Sequence, residues 1–159
     1  MLSMEKLKNK YYKINLEMLK EEINRDKIAP DLGKFAIQQN EVQDKLCFLI
    51  KTRGMRNNLI DKKWCESIEN VPLGVLIASY QLCANKVDKE KKLLDYLKKY
   101  KIKRNDLIHK KLDFNNSKKD IKIIIKDEIA LGCKVLKLLD DLLFDEIKYK
   151  LLQKTEINL

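Results

Sequence analysis

Glycine and proline are scarce in this chain: four and two among 159 residues. Both punctuate tight turns, so their scarcity argues against a sheet with many reversals. An abundance of Lys, Leu, Ile and Glu favours long helices instead. The four cysteines, Cys47, Cys65, Cys83 and Cys133, form no C-x-x-C pair and have no companion histidines. That spacing suggests neither a zinc site nor a redox dithiol, so reduced core thiols are expected. There is no Gly-rich phosphate loop and no Ser or Cys nucleophile with its own base. Acidic pairs such as Asp140-Asp141 are sequence neighbours and point different ways on a helix, so glycosidase and metal chemistry have no support and no cofactor is expected. The start, Met1-Leu2-Ser3-Met4-Glu5-Lys6, lacks the apolar centre of a signal peptide. The least polar stretch, Val71 to Tyr80, is too short to span a bilayer, so the expectation is a cytoplasmic protein without a membrane partner.

Apolar residues make up 45% of the chain and charged residues 36%, a globular and highly charged composition. The length suits one core, so a single domain over residues 1–159 is expected. The formal charge of +10 points to a polyanion or an acidic protein surface as partner. Most of the basic residues are lysines spread along the chain, so where they concentrate says more than their sum. Between Leu97 and Lys111 stand Lys98, Lys99, Lys101, Lys103, Arg104, Lys110 and Lys111 against a single acid, Asp106.

Helical spacing dominates the rest of the chain. Leu7, Tyr11, Ile14, Met18 and Ile23 predict a first long helix closed at Pro30-Asp31. Phe35, Val42, Leu46, Leu49 and Ile50 predict a second, stopped by Gly54 as a left-handed cap. Met55 to Glu69 carries a weaker pattern, a short helix. Asn70 as N-cap with Pro72 in the first turn predicts a helix over 71–86. Leu93 to Leu112 predicts another, with a break near Lys101. Ser117 as cap and Asp120 in the first turn open a last helix over 118–153. No segment alternates with period two. The expected fold is all-α, an up-and-down bundle of four to five helices. The last helix is apolar on more than one face, from Ile121 to Ile125 and from Leu142 to Phe144, and one face could meet a second copy. Trp64, Tyr96 and Tyr100 suit core or interface better than base stacking.

One constellation carries chemistry. Arg104, Asn105 and His109 stand within six residues, and His109 is the only histidine. Cleaving RNA through its own 2'-hydroxyl needs a proton acceptor, a proton donor and a positive group on the phosphorane. An imidazole titrates near neutral pH, and a guanidinium binds phosphate oxygens bidentately. This makes His109 the candidate acid/base, Arg104 the phosphate clamp and Asn105 the orienting group. Lys101, Lys103, Lys110 and Lys111 are candidate RNA-backbone contacts, sensitive to salt. Asn105 and His109, four residues apart, share a helix face, whereas Arg104 and His109 lie about 140° apart on a regular helix. Either Arg104 sits at an irregular helix start or a second copy completes the site across a two-fold axis. A near-match, Arg56-Asn57-Asn58-Leu59-Ile60-Asp61, has Asp where His is needed and is read as chance.

The run Arg104-Asn105-Asp106-Leu107-Ile108-His109 resembles the hallmark of the HEPN family (higher eukaryotes and prokaryotes nucleotide-binding domains): Arg, four to six residues, then His, with a polar residue after the Arg. Pro72-Leu73-Gly74-Val75-Leu76-Ile77 and the apolar helix from Leu93 to Tyr100 look like the approach to that motif. The resemblance covers about Trp64 to Phe114. It implies a helical bundle that dimerises through its motif-bearing helices and, in active members, a metal-independent endoribonuclease. Many such members are toxins paired with an antitoxin or components of antiviral-defence complexes. A non-catalytic bundle of this kind that binds RNA, a nucleotide or a partner protein is the alternative, and a purely structural helical oligomer is the third.

Overall fold

A computed structural model describes residues 4–59, 61–107 and 118–157, with side chains for Lys13, 28–59, 61–107 and 121–154. Among them the chain is all-α: α1 (Met4–Arg56), α2 (Lys62–Ser67), a 3-10 turn (Ile68–Asn70), α3 (Leu73–Cys83), α4 (Asp88–Asp106) and α5 (Lys118–Ile157). No strand occurs among the described residues.

The two helices expected before Gly54 are one. α1 runs unbroken through Pro30, which is exposed. A proline inside a helix leaves a carbonyl one turn back without its donor, and on the wet face water can take that donor's place. Gly54 does not end the helix. No glycine among the described residues has positive φ, and the left-handed residue is Asn58, at φ 54°. Leu59 N–H donates to Gly54 O at 2.8 Å and Asn58 N–H to Met55 O at 3.2 Å, the paired bonds of a Schellman cap. Asp61 then caps α2 by accepting from Trp64 N–H at 2.7 Å. α3 begins later than the sequence suggested, with Pro72 as its N-cap. Val71 is extended, at φ −85° and ψ 151°, the conformation a following proline favours. α4 shows no break at Lys101 and stays α-helical through Asp106; Leu107, the next residue, keeps helical φ −63° and ψ −48° but belongs to a wider π-type turn. The expected cap Ser117 lies outside the described residues.

Side-chain pairings give the helix directions. Gln38 meets Ile129, Lys45 meets Asp140 and Arg53 meets Glu146, so α1 and α5 run the same way. Arg53 also meets Glu90, and Gln39 meets Arg104, so α4 runs against α1. Gly74 sits beside Lys101 while Tyr80 meets Glu90, which sets α3 against α4. α5 packs most extensively on α1, and α4 packs on α5.

One apolar cluster fills the space between these helices, from Val42, Leu46, Leu49 and Ile50 through Leu93, Leu97 and Tyr100 to Val135 and Leu139. Their spacing of three and four residues keeps them on one stripe of each helix. Trp64 and Tyr96 are partly buried against this cluster, and Tyr100 lies within it. Cys47, Cys65 and Cys83 are buried free thiols as expected of core cysteines; Cys133 is exposed. Its position on α5 falls one residue past Gly132, off the buried stripe that runs through Glu128 and Val135. No described helix is long and apolar enough to cross a membrane.

Candidate functional site

The stripes that build the core are not wholly apolar. On α4 the stripe is Glu90, Leu93, Leu97, Tyr100, Arg104 and Leu107; on α5 it includes Ile121, Ile125, Glu128, Val135, Leu139, Leu142 and Glu146. On α1, Gln38 and Arg53 flank Val42, Leu46 and Leu49. These polar residues fall into two layers with apolar layers between them, and the two layers differ in how well their groups are matched.

The layer at the C-terminal end of α1 is matched in charge, with one atom, Arg53 Nη1 against Glu90, buried without a hydrogen bond of its own. The Arg53 guanidinium, 3% exposed, pairs with Glu90 and donates from Nε to Glu146 Oε1 at 2.7 Å. Arg56 Nη1 donates to Glu146 Oε2 at 2.6 Å, and its guanidinium lies 4.9 Å from the centre of the Tyr149 ring. Tyr80 Oη donates to Glu90 Oε1 at 2.7 Å, and Asn85 N–H donates to Glu90 Oε2 at 2.9 Å. Burial raises the Tyr80 hydroxyl well above the usual tyrosine range. Each buried carboxylate therefore has a cation and further donors, as a structural ion cluster requires. The near-match run from Arg56 to Asp61 belongs here: Arg56 is an ion-pair partner and Asp61 a helix cap.

The second layer lies at the other end of α4 and contains Arg104. Rather than sitting at an irregular helix start, Arg104 is in the last turn of α4, just before the π-type turn at Leu107. It is partly buried, and Gln39 of α1, with its amide oxygen turned to the guanidinium, accepts from Nε and Nη2. A cation in the last turn also complements the helix dipole. Around it the matching is incomplete. Of the four side-chain atoms buried without a hydrogen-bond partner among the described residues, three lie here, Tyr100 Oη, Glu128 Oε2 and Gln38 Oε1, the fourth being Arg53 Nη1 in the other layer. Gln38 uses its amide nitrogen, donating to Ile129 O at 2.9 Å and Cys133 Sγ at 3.4 Å. Burial, with the Glu128 charge adding to it and Arg104 opposing it, pushes the Tyr100 hydroxyl up to about 12. Burial pushes the Glu128 carboxyl up to about 7; Lys103 pulls it down and Asp127 pushes it up. A carboxyl that titrates near neutrality is a recurring property of functional sites, and unmatched buried groups are uncommon elsewhere.

The remaining sequence candidates divide. Asn105 is exposed on α4. The Lys101 chain lies over Gly74 of α3, with Nζ 3.1 Å from where a Cβ at Gly74 would stand. Lys103 is exposed at its end but lines the wall beside Glu128. His109, Lys110 and Lys111 lie outside the described residues. Sequence reading missed Glu128, Tyr100, Gln38 and Gln39. The signal for the first three was available: a polar group at the stripe position where spacing demands an apolar one.

Burial raises the Cys47 and Cys83 thiols above the usual range, away from the reactive thiolate. No group of three acids, cysteines or histidines among the described residues could hold a metal ion. No protein-family model, no curated protein and no solved structure matches the chain.

Proposed function

We propose that this protein is a metal-independent endoribonuclease of the HEPN type, an up-and-down bundle that works as a homodimer through its motif-bearing helices. The observation that carries the reading is the placement of Arg104. Of the four arginines it alone combines the Arg-Asn-x-x-x-His run with a core-stripe position, at a layer whose polar groups are incompletely matched. A guanidinium held by one amide oxygen keeps donors for a phosphate, and Gln39 fixes the plane in which they point.

In this reading Arg104 binds the scissile phosphate and stabilises the charge that builds on the phosphorane. His109 takes the proton of the 2'-hydroxyl as that oxygen attacks phosphorus. The 2'-O–P bond forms, the P–5'-O bond breaks, and the leaving 5'-oxygen receives a proton from His109 of the second copy. Asn105, exposed beside Arg104, orients the imidazole or the substrate. Lys101, Lys103, Lys110 and Lys111 attract the backbone in a salt-dependent way. A toxin or antiviral-defence setting, with an antitoxin or complex partner, belongs to the same reading.

The alternative, a non-catalytic module that binds RNA, a nucleotide or a protein, draws on one observation: Arg104 is partly covered and already bonded to Gln39, as a structural arginine would be. Incubating the purified protein with labelled RNA in EDTA separates the two. The nuclease leaves 2',3'-cyclic phosphate ends that vanish in His109→Ala, whereas a binding module retains RNA affinity and cuts nothing. Equal cleavage by His109→Ala contradicts the proposal.

A further inference from the structure

α4 runs against α5, and the seam where their outer faces meet can be followed residue by residue. On α4 it is Lys89, Lys92, Tyr96, Lys99 and Lys103; on α5 it is Asp127, Leu131, Lys134, Leu138, Asp141 and Asp145. Steps of three and four keep each set on one helix face. Contacts fix both ends of the seam. Lys89 reaches Asp145 at 3.5 Å and Asp141 at 4.0 Å, and Lys103 shares a cavity wall with Asp127. At each end, then, a lysine faces carboxylates.

The middle is different. Lys92 and Lys99 are exposed on α4, and counting inward from the two ends places the exposed Lys134 of α5 opposite the turn that holds Tyr96 and Lys99. Lys92 lies 5.8 Å from the centre of the Tyr96 ring, and neither Lys99 nor Lys134 has an acidic partner among the described residues. The α5 residues on either side of Lys134 along the seam, Leu131 and Leu138, are half-buried and uncharged. Opposite charges along such a seam stabilise a helix pair, and like charges destabilise it. Three lysines facing one another are unfavourable until an anion joins them.

From Lys92 to Lys103 the row is about 16 Å long at the helical rise of about 1.5 Å per residue. A single anion fills one point of it, whereas a phosphodiester strand carries charge along its length, and one file of cations suits one strand. The row ends at Lys103, next to Arg104. We propose that the seam through Lys92, Lys99 and Lys134 is a track for the backbone of single-stranded RNA, leading the strand to the phosphate site of Arg104. It rests on the RNA reading above and adds the path the strand takes, on the side of α4 away from Lys101 and Gly74. An acidic protein would need an apolar centre to its contact, and this seam offers only a partly buried ring and two half-buried leucines.

The test uses the full chain and a labelled 2'-O-methyl oligouridine, which cannot be cut through its 2'-oxygen, with affinity read by anisotropy over a series of salt concentrations. Combining Lys92→Gln, Lys99→Gln and Lys134→Gln should weaken binding by about tenfold or more at low salt. The slope of log affinity against log salt should flatten by about 2, because each single-strand phosphate contact contributes about 0.7. Removing the same charge at Lys13, Lys62 and Lys63, exposed on α1 and α2, should leave the slope unchanged. Equal effects of the two triple variants, no binding by wild type, or polyglutamate bound as tightly as the RNA overturns the track. A second variant reads the seam without RNA: Lys134→Glu sets an acid opposite Lys99 and should raise the thermal midpoint, and a midpoint that does not rise overturns the facing of the lysines. Cleavage of ordinary RNA by the same samples keeps the two ideas apart. Cutting with the same KM in wild type and the track variant removes the track and leaves the nuclease. Binding that depends on the three lysines, without cutting, removes the nuclease and leaves the track.

Discussion

Glu128→Gln should stabilise the protein in a strongly pH-dependent way. In the folded chain the Glu128 carboxyl is raised from 4.5 to about 7, chiefly by burial. Between those values the folded state holds a proton that the unfolded chain has released. Stability therefore falls as pH rises through the window, is level above about 7, and is fully restored below about 4.5. At 1.36 kcal/mol per unit the full loss is about 3 kcal/mol, of which about 2.5 kcal/mol falls between pH 5 and pH 8. Glutamine has nearly the same shape and cannot ionise, so the variant escapes that loss. Whatever fixed effect the amide has on packing cancels when the two pH values are compared. Urea unfolding of both proteins at pH 5 and pH 8 reads this directly. The variant's gain over wild type should be about 2 to 3 kcal/mol larger at pH 8, on the order of 1 M in urea midpoint for a domain of this size. An equal gain or loss at both pH values would show that Glu128 is ionised and well solvated in the fold, and the account of the second polar layer would be wrong.

Three other perturbations probe the frame that holds the site. Arg53→Ala leaves Glu90 and Glu146 buried without their shared cation, so chemical denaturation should show a loss of about 3 to 5 kcal/mol; a loss under about 1 kcal/mol would mean the cluster is solvated. Asn58→Gly should hold or slightly raise the thermal midpoint, whereas Asn58→Val should destabilise by about 1 to 2 kcal/mol, because φ 54° suits glycine and strains a branched side chain. At Gly132 a Cβ would overlap Gln38 Oε1, so Gly132→Ala should destabilise by about 1 to 3 kcal/mol. In a double-mutant cycle with Gln38→Ala most of that loss should disappear; full additivity would refute the contact.

Much of the fold could be read from spacing alone. Leu93, Leu97 and Tyr100 on α4, and Ile121, Ile125 and Leu139 on α5, are buried where the three-and-four pattern places them. Errors gathered at punctuation. Pro30 looked like a boundary but lies on the wet face of one long helix, where tertiary packing on either side outweighs the missing hydrogen bond. Gly54 looked like a cap, yet the cap is Asn58, because the chain needed its left-handed residue two positions beyond Arg56. At the site, spacing could pick out Arg104 and Asn105 but could not show that Arg104 faces Gln39. Tracing the α4 stripe through Glu90 and Arg104, and the α5 stripe through Glu128 and Glu146, would have exposed both polar layers from sequence. Which layer is matched and which is not depends on partners brought together from three helices, and one chain's periodicity carries no record of that.

The central claim is that the guanidinium of Arg104 acts on a phosphodiester and is not merely part of the core. Single-turnover cleavage of RNA in EDTA by Arg104→Ala, set beside Gln39→Ala and matched for helicity and thermal midpoint, tests it most directly. The account predicts a fall of about a hundredfold or more in rate for Arg104→Ala, as for loss of a transition-state donor, and a much smaller fall for Gln39→Ala. A folded Arg104→Ala that cuts RNA as fast as wild type would contradict it.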